Sequence, residues 1–138
     1  MQTPAAFTFE SYSFPFVELH MESLDDEAPL RLEFNPVGTF FTADSKFQLD
    51  FEFTATPEGD EDPAVRIKCT ATFKFREAVS LEQIPEYFYP NSLAIVFPYV
   101  RAFVSSVTLQ ANAGAPVVIP TLNLTGLRDS LKSNTRAV

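Results

Sequence analysis

Apolar and polar side chains alternate strictly along two stretches in the middle of the chain. Phe47, Leu49, Phe51, Phe53 and Ala55 alternate with Gln48, Asp50, Glu52 and Thr54, and Val65, Ile67, Cys69, Ala71, Phe73 and Phe75 alternate with Arg66, Lys68, Thr70, Thr72 and Lys74. A period of two puts one face of a strand on a core and the other in water. The segment between them, Pro57-Glu58-Gly59-Asp60-Glu61-Asp62-Pro63, reads as a turn bounded by prolines. The two stretches are predicted to form an antiparallel hairpin whose outer faces are acidic on the first strand and basic on the second. Each opposed pair of charges there contributes roughly 0.2–1 kcal/mol.

Leu30, Leu32 and Phe34 alternate with Arg31 and Glu33, which predicts another strand running toward Phe41 past a break at Pro36-Val37-Gly38. Upstream, the apolar parity changes near Ser11 and again at Pro15–Val17. Such changes predict bulges, and Pro15 suits the edge of a sheet. Ser23 to Pro29 reads as an exposed acidic loop.

The period then lengthens. Leu93, Val96, Phe97, Val100, Phe103, Val104, Val107 and Ala111 recur every three or four positions, the pattern of a helix. Asn91 or Ser92 is its expected cap, and Pro98 is expected to kink it or to mark where its regular part begins. Between Tyr87 and Leu127 the only charged side chain is Arg101. Ile95, Tyr99 and Leu109 lie off the main stripe, so the helix is apolar on nearly every side. One sheet face covers one side, and a second subunit is expected to cover the other. A membrane span is the rival interpretation, set aside because Pro98, Arg101, Ser105, Ser106 and Gln110 interrupt the run. Beyond a small-residue break at Ala113-Gly114-Ala115, Val117-Val118-Ile119 reads as an extended apolar loop. Leu124, Leu127 and Leu131 then form one face of a short amphipathic helix, capped by Asn123 or Thr121 and suited at its end by Lys132 and Arg136.

The predicted fold class is α+β in a single domain over residues 1–138. A four-stranded antiparallel sheet (about residues 5–77) precedes a long, buried, Pro-kinked helix (about 91–112) and a C-terminal helix (about 121–133).

Composition narrows the function. The chain has 15 Phe, 4 Tyr and no Trp, so most of its aromatic surface lacks a polar handle and requires a core, an interface or a client to cover it. Its net charge of −8 without a basic block argues against nucleic acid as a partner. A single cysteine, Cys69, permits no intrachain disulfide and fits a reducing compartment. The N-terminus shows neither a basic nor an apolar leader region, so a cytoplasmic location is expected. His20 is the only histidine, and the Glu58–Asp62 run lacks the spacing of a calcium loop. Neither enzymatic activity, metal nor cofactor is expected. Cys69 reads as a core residue and His20 as a surface one.

Phe97-Pro98-Tyr99-Val100-Arg101 resembles the FPYxR segment of the SecB family helix. Pro116, an apolar run, Pro120 and Asn123 follow in the order of that family's approach to its last helix, and Pro90-Asn91 resembles its upstream Pro-Asn. The resemblance spans Phe7 to Leu131. It implies a homotetramer, a dimer of dimers, that holds unfolded preproteins in apolar grooves and catalyses nothing. Groove residues would be Leu30, Leu32 and Phe34 on a strand, Tyr99, Val104 and Val107 on the long helix, Val117 and Ile119 on the loop, and Leu124 and Leu127 on the last helix. Val96, Val100, Phe103 and Val107 would form the oligomer interface. Glu18 and Glu22 resemble the acidic pair that meets the export motor ATPase SecA, although Ser133–Val138 is short and basic, unlike the family's longer motor-binding tail. Some SecB-like proteins guard an antitoxin instead. From other classes, a small-molecule-binding oligomer with a pocket under the Phe-rich sheet and a purely structural oligomer are the alternatives. Val117 and Ile119 are the favoured groove residues, so serine at both is expected to weaken client holding and leave assembly intact.

Overall fold

The computed structural model describes residues 6–24, 29–111 and 116–138. The acidic segment 25–28, the small-residue break at 112–115 and residues 1–5 lie outside them. Five strands form one sheet: β1 (Phe7–Leu19), β2 (Leu30–Phe41), β3 (Lys46–Pro57), β4 (Val65–Phe75) and β5 (Thr135–Ala137), in the order β1-β4-β3-β2-β5. Helix α1 (Phe88–Gln110) and helix α2 (Thr125–Ser133) follow β4.

The alternating stretches pair as the period requires. β3 and β4 run antiparallel from Phe47 opposite Phe73 to Ala55 opposite Val65, with every apolar partner buried. The outer face has fewer ion pairs than the charges promised. Lys68 lies 3.8 Å from Glu52, whereas Asp50 accepts a hydrogen bond from the Thr70 hydroxyl at 2.8 Å. In β1 the register against β4 slips between Phe9 and Ser11 and between Ser13 and Phe16. Those are the places where the apolar parity changes: the first bulge sets Tyr12 opposite inward Ala71, and the second sets Val17 opposite inward Ile67 and leaves Phe16 beside Lys68 on the outer face. β2 runs through Pro36-Val37-Gly38 with no break in register. Its even-numbered backbone groups face away from β3: Gly38 N bonds to Asn134 O, and Val138 N to Phe40 O. The missing N–H of Pro36 therefore costs no bond to β3.

The sheet is mixed, not four-stranded and antiparallel, because Thr135–Ala137 pairs parallel to Gly38–Phe40. Arg136 is accordingly a strand residue rather than a partner of the α2 dipole, and Ser133–Val138 is no free tail. Gly38 makes this approach possible. A Cβ there would lie 2.5 Å from Thr135 Oγ1 and closer still to the edge of the Phe47 ring.

α1 begins upstream of its expected cap. Asn91 and Ser92 lie inside the helix, and the Ser92 hydroxyl donates to Tyr89 O at 2.9 Å. Pro90 falls in the first turn, where its missing N–H needs no intrahelical partner. The helix continues through Pro98, which sits on the exposed side. α1 has the length and apolar character of a membrane span, but Leu93, Val96, Val100 and Val104 are fully covered within the protein. Its first residue, Phe88, is the hub of the core, with its ring centroid 4.7 Å from Phe47, 4.9 Å from Phe7 and Phe75, and 5.5 Å from Phe73. α2 is preceded by Leu124 rather than the expected cap Asn123 or Thr121, and Asn123 Oδ1, one residue upstream, accepts from the Thr125 N–H at 3.0 Å. Its buried Leu131 anchors it, and Lys132 donates to the Glu86 carboxylate.

Phe88→Ala is expected to destabilise the fold by about 3–5 kcal/mol, the range for emptying a fully packed aromatic site. Phe16→Ala, on the outer face, should cost under about 1 kcal/mol. Urea titration of both variants checks the contrast, and equal losses would refute the hub assignment.

Candidate functional site

Two apolar surfaces remain partly open once the core is filled, on either side of α1. The first involves β2 and the C-terminal segment. Leu30, Leu32 and Phe34 are half-buried along β2, and Leu122, Leu124 and Leu127 are half-buried before and on α2. α2 packs against both β2 and α1. Phe34 bridges strand and helix, its ring 5.4 Å from Phe53 and 6.0 Å from Phe97. The second surface lies at the β1 rim. Tyr12 packs on Tyr99 at 4.3 Å and Phe14 stacks on Phe103 at 4.0 Å. Tyr12 and Tyr99 stay 44% and 39% exposed, because β1 is an edge strand and none of the described residues covers them from outside.

The expected groove residues thus divide. Leu30, Leu32, Phe34, Leu124 and Leu127 belong to the β2–α2 surface, whereas Tyr99 belongs to the opposite rim. Val104 is fully buried, and Val107 is half-buried. Val117 and Ile119, favoured as groove residues, are core residues at 5% and 0% exposure, and Val118 is the exposed one at 63%. Alternation explains the exchange, since Val117 and Ile119 share one side of an extended segment. Two polar residues of α1 clamp that segment. Thr108 Oγ1 accepts from Val117 N at 2.8 Å while donating to Val104 O at 2.7 Å, and the Ser105 hydroxyl donates to Val117 O at 3.3 Å. Of the expected interface residues, Val96 and Val100 are covered by the chain's own core. That placement corrects their assignment to a subunit contact. Phe103 and Val107 are half-buried, and the open side of α1 shows Tyr99, Arg101, Ala102 and Leu109 instead.

Leu122, Phe9, Tyr12 and Phe14 were not anticipated as surface-forming residues. The parity changes in β1 marked the bulges but not which aromatics the edge would leave open.

Glu18 and Glu22 come together at His20, 3.4 Å from its Nε2 and 3.9 Å from its Nδ1. His20 N bonds to Ala64 O, and Glu18 and His20 line one hollow with Asp60, Glu61, Asp62 and a single cation, Arg66. One end of the sheet is therefore acidic. Cys69 faces the core. Burial, with a smaller contribution from the charge of Asp50, pushes its thiol up to about 11. Among the described residues, no group of three or more His, Cys, Asp and Glu has a metal-holding arrangement.

No family model matches the chain. An uncharacterized protein of Methanocaldococcus jannaschii is 25% identical over 140 aligned positions, which take in 96% of this chain and 90% of that protein. Among solved structures, a SecB-like chaperone of Mycobacterium tuberculosis matches with a TM-score of 0.67, over 86% of this chain and 88% of its own, at 17% identity. The fold is SecB-like. That chaperone was solved in complex with a ChAD peptide from the HigA1 antitoxin. In this SecB-like fold the open apolar positions fall on β2 and α2 and on the β1 rim, while Val117 and Ile119 beyond α1 pack into the core.

Val117→Ser with Ile119→Ser is therefore expected to unfold the chain or lower its stability by at least about 2–5 kcal/mol. Val118→Ser should change stability by no more than about 0.5 kcal/mol. Thermal melts followed by circular dichroism distinguish the two. Cys69 should resist alkylation in mildly alkaline buffer until the protein unfolds. Rapid labelling of the native state would contradict its burial.

Proposed function

We propose that this chain is a chaperone that holds non-native polypeptides in the cytoplasm by apolar contact, without catalysis. The observation that carries the reading is the set of half-buried residues Leu30, Leu32, Phe34, Leu124 and Leu127, kept together by β2 and α2 on a SecB-like fold. An unfolded segment laid there gains roughly 25 cal/mol for each Å² of apolar surface removed from water. No single pocket is required, because many weak contacts along one chain add up.

Two client classes suit the surface. An antitoxin segment is favoured by the peptide held in the similar mycobacterial chaperone. Preproteins are the other class, and the acidic end around Glu18 and Glu22 would then offer the surface for SecA. The open aromatic rim of β1 and α1 supports self-association, through which two sheets would share the cover that Tyr12 and Tyr99 lack in one chain. A tetramer is the assembly this reading expects.

Light scattering should give a multimer that co-elutes with a reduced, alkylated, permanently unfolded polypeptide and not with its folded form. Leu124→Ser with Leu127→Ser should weaken that binding about tenfold, the loss of roughly 1.4 kcal/mol of apolar burial, while the melting temperature moves little. A wild-type chain that neither binds the unfolded polypeptide nor suppresses its aggregation would overturn the chaperone reading.

A further inference from the structure

The two edges of the sheet are built differently. β1 is open along its outer side, but its register slips twice and Pro15 lies within it. Such features are how natural edge strands refuse new partners. β2 forms the other edge only in part. β5 covers Gly38 to Phe40, and the Asn134 side chain reaches Pro36 O at 3.4 Å. Among the described residues, the strand from Leu30 to Phe34 pairs with β3 alone, in unbroken register, with no proline and no bulge. Pro29 O bonds to Glu58 N on the β3 side, and Gly38, Phe40 and Thr42 bond toward β5. By the two-residue period of a strand, the N–H and C=O groups of Leu30, Leu32 and Phe34 therefore point out of the open edge. Their side chains are the half-buried ones that face the inner layer. Arg31 and Glu33 pair with each other at 2.8 Å on the outer face.

We propose that Leu30–Phe34 is a strand-addition site, which takes an extended segment of a non-native polypeptide as a further strand in line with β5. The proposal rests on the chaperone reading and adds the mode of binding. β5 demonstrates that this edge accepts a strand from elsewhere in the chain. Backbone hydrogen bonds hold the segment whatever its sequence, and apolar side chains at alternate positions meet the inner layer. A second copy is the weaker occupant. A stable protein interface needs roughly 20–30 residues a side, and the open stretch ends at Pro36 and Asn134.

The site is tested with a fluorescein-labelled peptide of alternating leucine and threonine and with the same peptide N-methylated at alternate residues. Proline on an edge strand with its nitrogen outward is tolerated, so Leu32→Pro removes one outward donor from a folded protein. Leu32→Ala is the control that keeps the donor. Leu32→Pro is expected to bind the peptide roughly fivefold to tenfold more weakly than Leu32→Ala, and N-methylation should act similarly on the wild type. Bound peptide should slow amide exchange at Leu32 and Phe34. If wild type binds the peptide but the two variants bind alike and those amides stay unprotected, strand addition is wrong and the chaperone reading stands. Binding of no peptide and no unfolded polypeptide would remove both. If the open edge is occupied by a second copy, those amides are protected in the peptide-free protein at high concentration, which also overturns the proposal.

Discussion

The fold turns on one aromatic ring. Phe88 enters the sheet between Phe7, Phe47, Phe73 and Phe75, and so joins β1, β3 and β4 to the start of α1. The position and direction of the helix are set by that anchor. Once Phe88 is seated, Leu93, Val96, Val100 and Val104 fall on the inner face by helical spacing, and Tyr99 and Phe103 fall toward β1. Phenylalanine suits the position because it brings large area and no polar atom that would need a partner. The apolar surfaces on either side of α1 are left uncovered by this placement.

The strands were legible because a half-buried sheet imposes a period of two, which β4 keeps throughout and β3 keeps from Lys46 to Ala55. Even the bulges of β1 were visible as parity changes. The start of α1 was not, since Pro85 and Pro90 flank Phe88 and a proline within reach of a helix end reads as exclusion. A proline in the first turn breaks nothing. β5 was invisible for a different reason. Its three residues contain no alternating apolar pattern, and it exists because Gly38, far away in sequence, has no side chain to stop it.

The candidate site was legible in part, and the errors share a cause. Leu30, Leu32, Phe34, Leu124 and Leu127 are half-buried because edge strands and short amphipathic helices carry more apolar surface than one layer covers. Val117 and Ile119 looked exposed because they lie outside regular structure. The hydroxyls of Thr108 and Ser105 supply the bonds that a strand partner would have supplied, and so allow a loop to be buried. Val96 and Val100 looked like interface residues because an all-round apolar helix demands cover. The demand was real, but the chain's own sheet meets it on their side.

The short β5 also limits what the sheet can become. A sheet with two open edges of unlike kind invites head-to-tail addition, copy upon copy, with no symmetry to close the chain of contacts. Here Thr135–Ala137 seals the run of β2 beside Gly38, and Pro36 bounds the open stretch on that side. The remaining edge is long enough for a single passing strand and too short to seed a filament. A strand added there is thereby kept from becoming the template of a growing fibre.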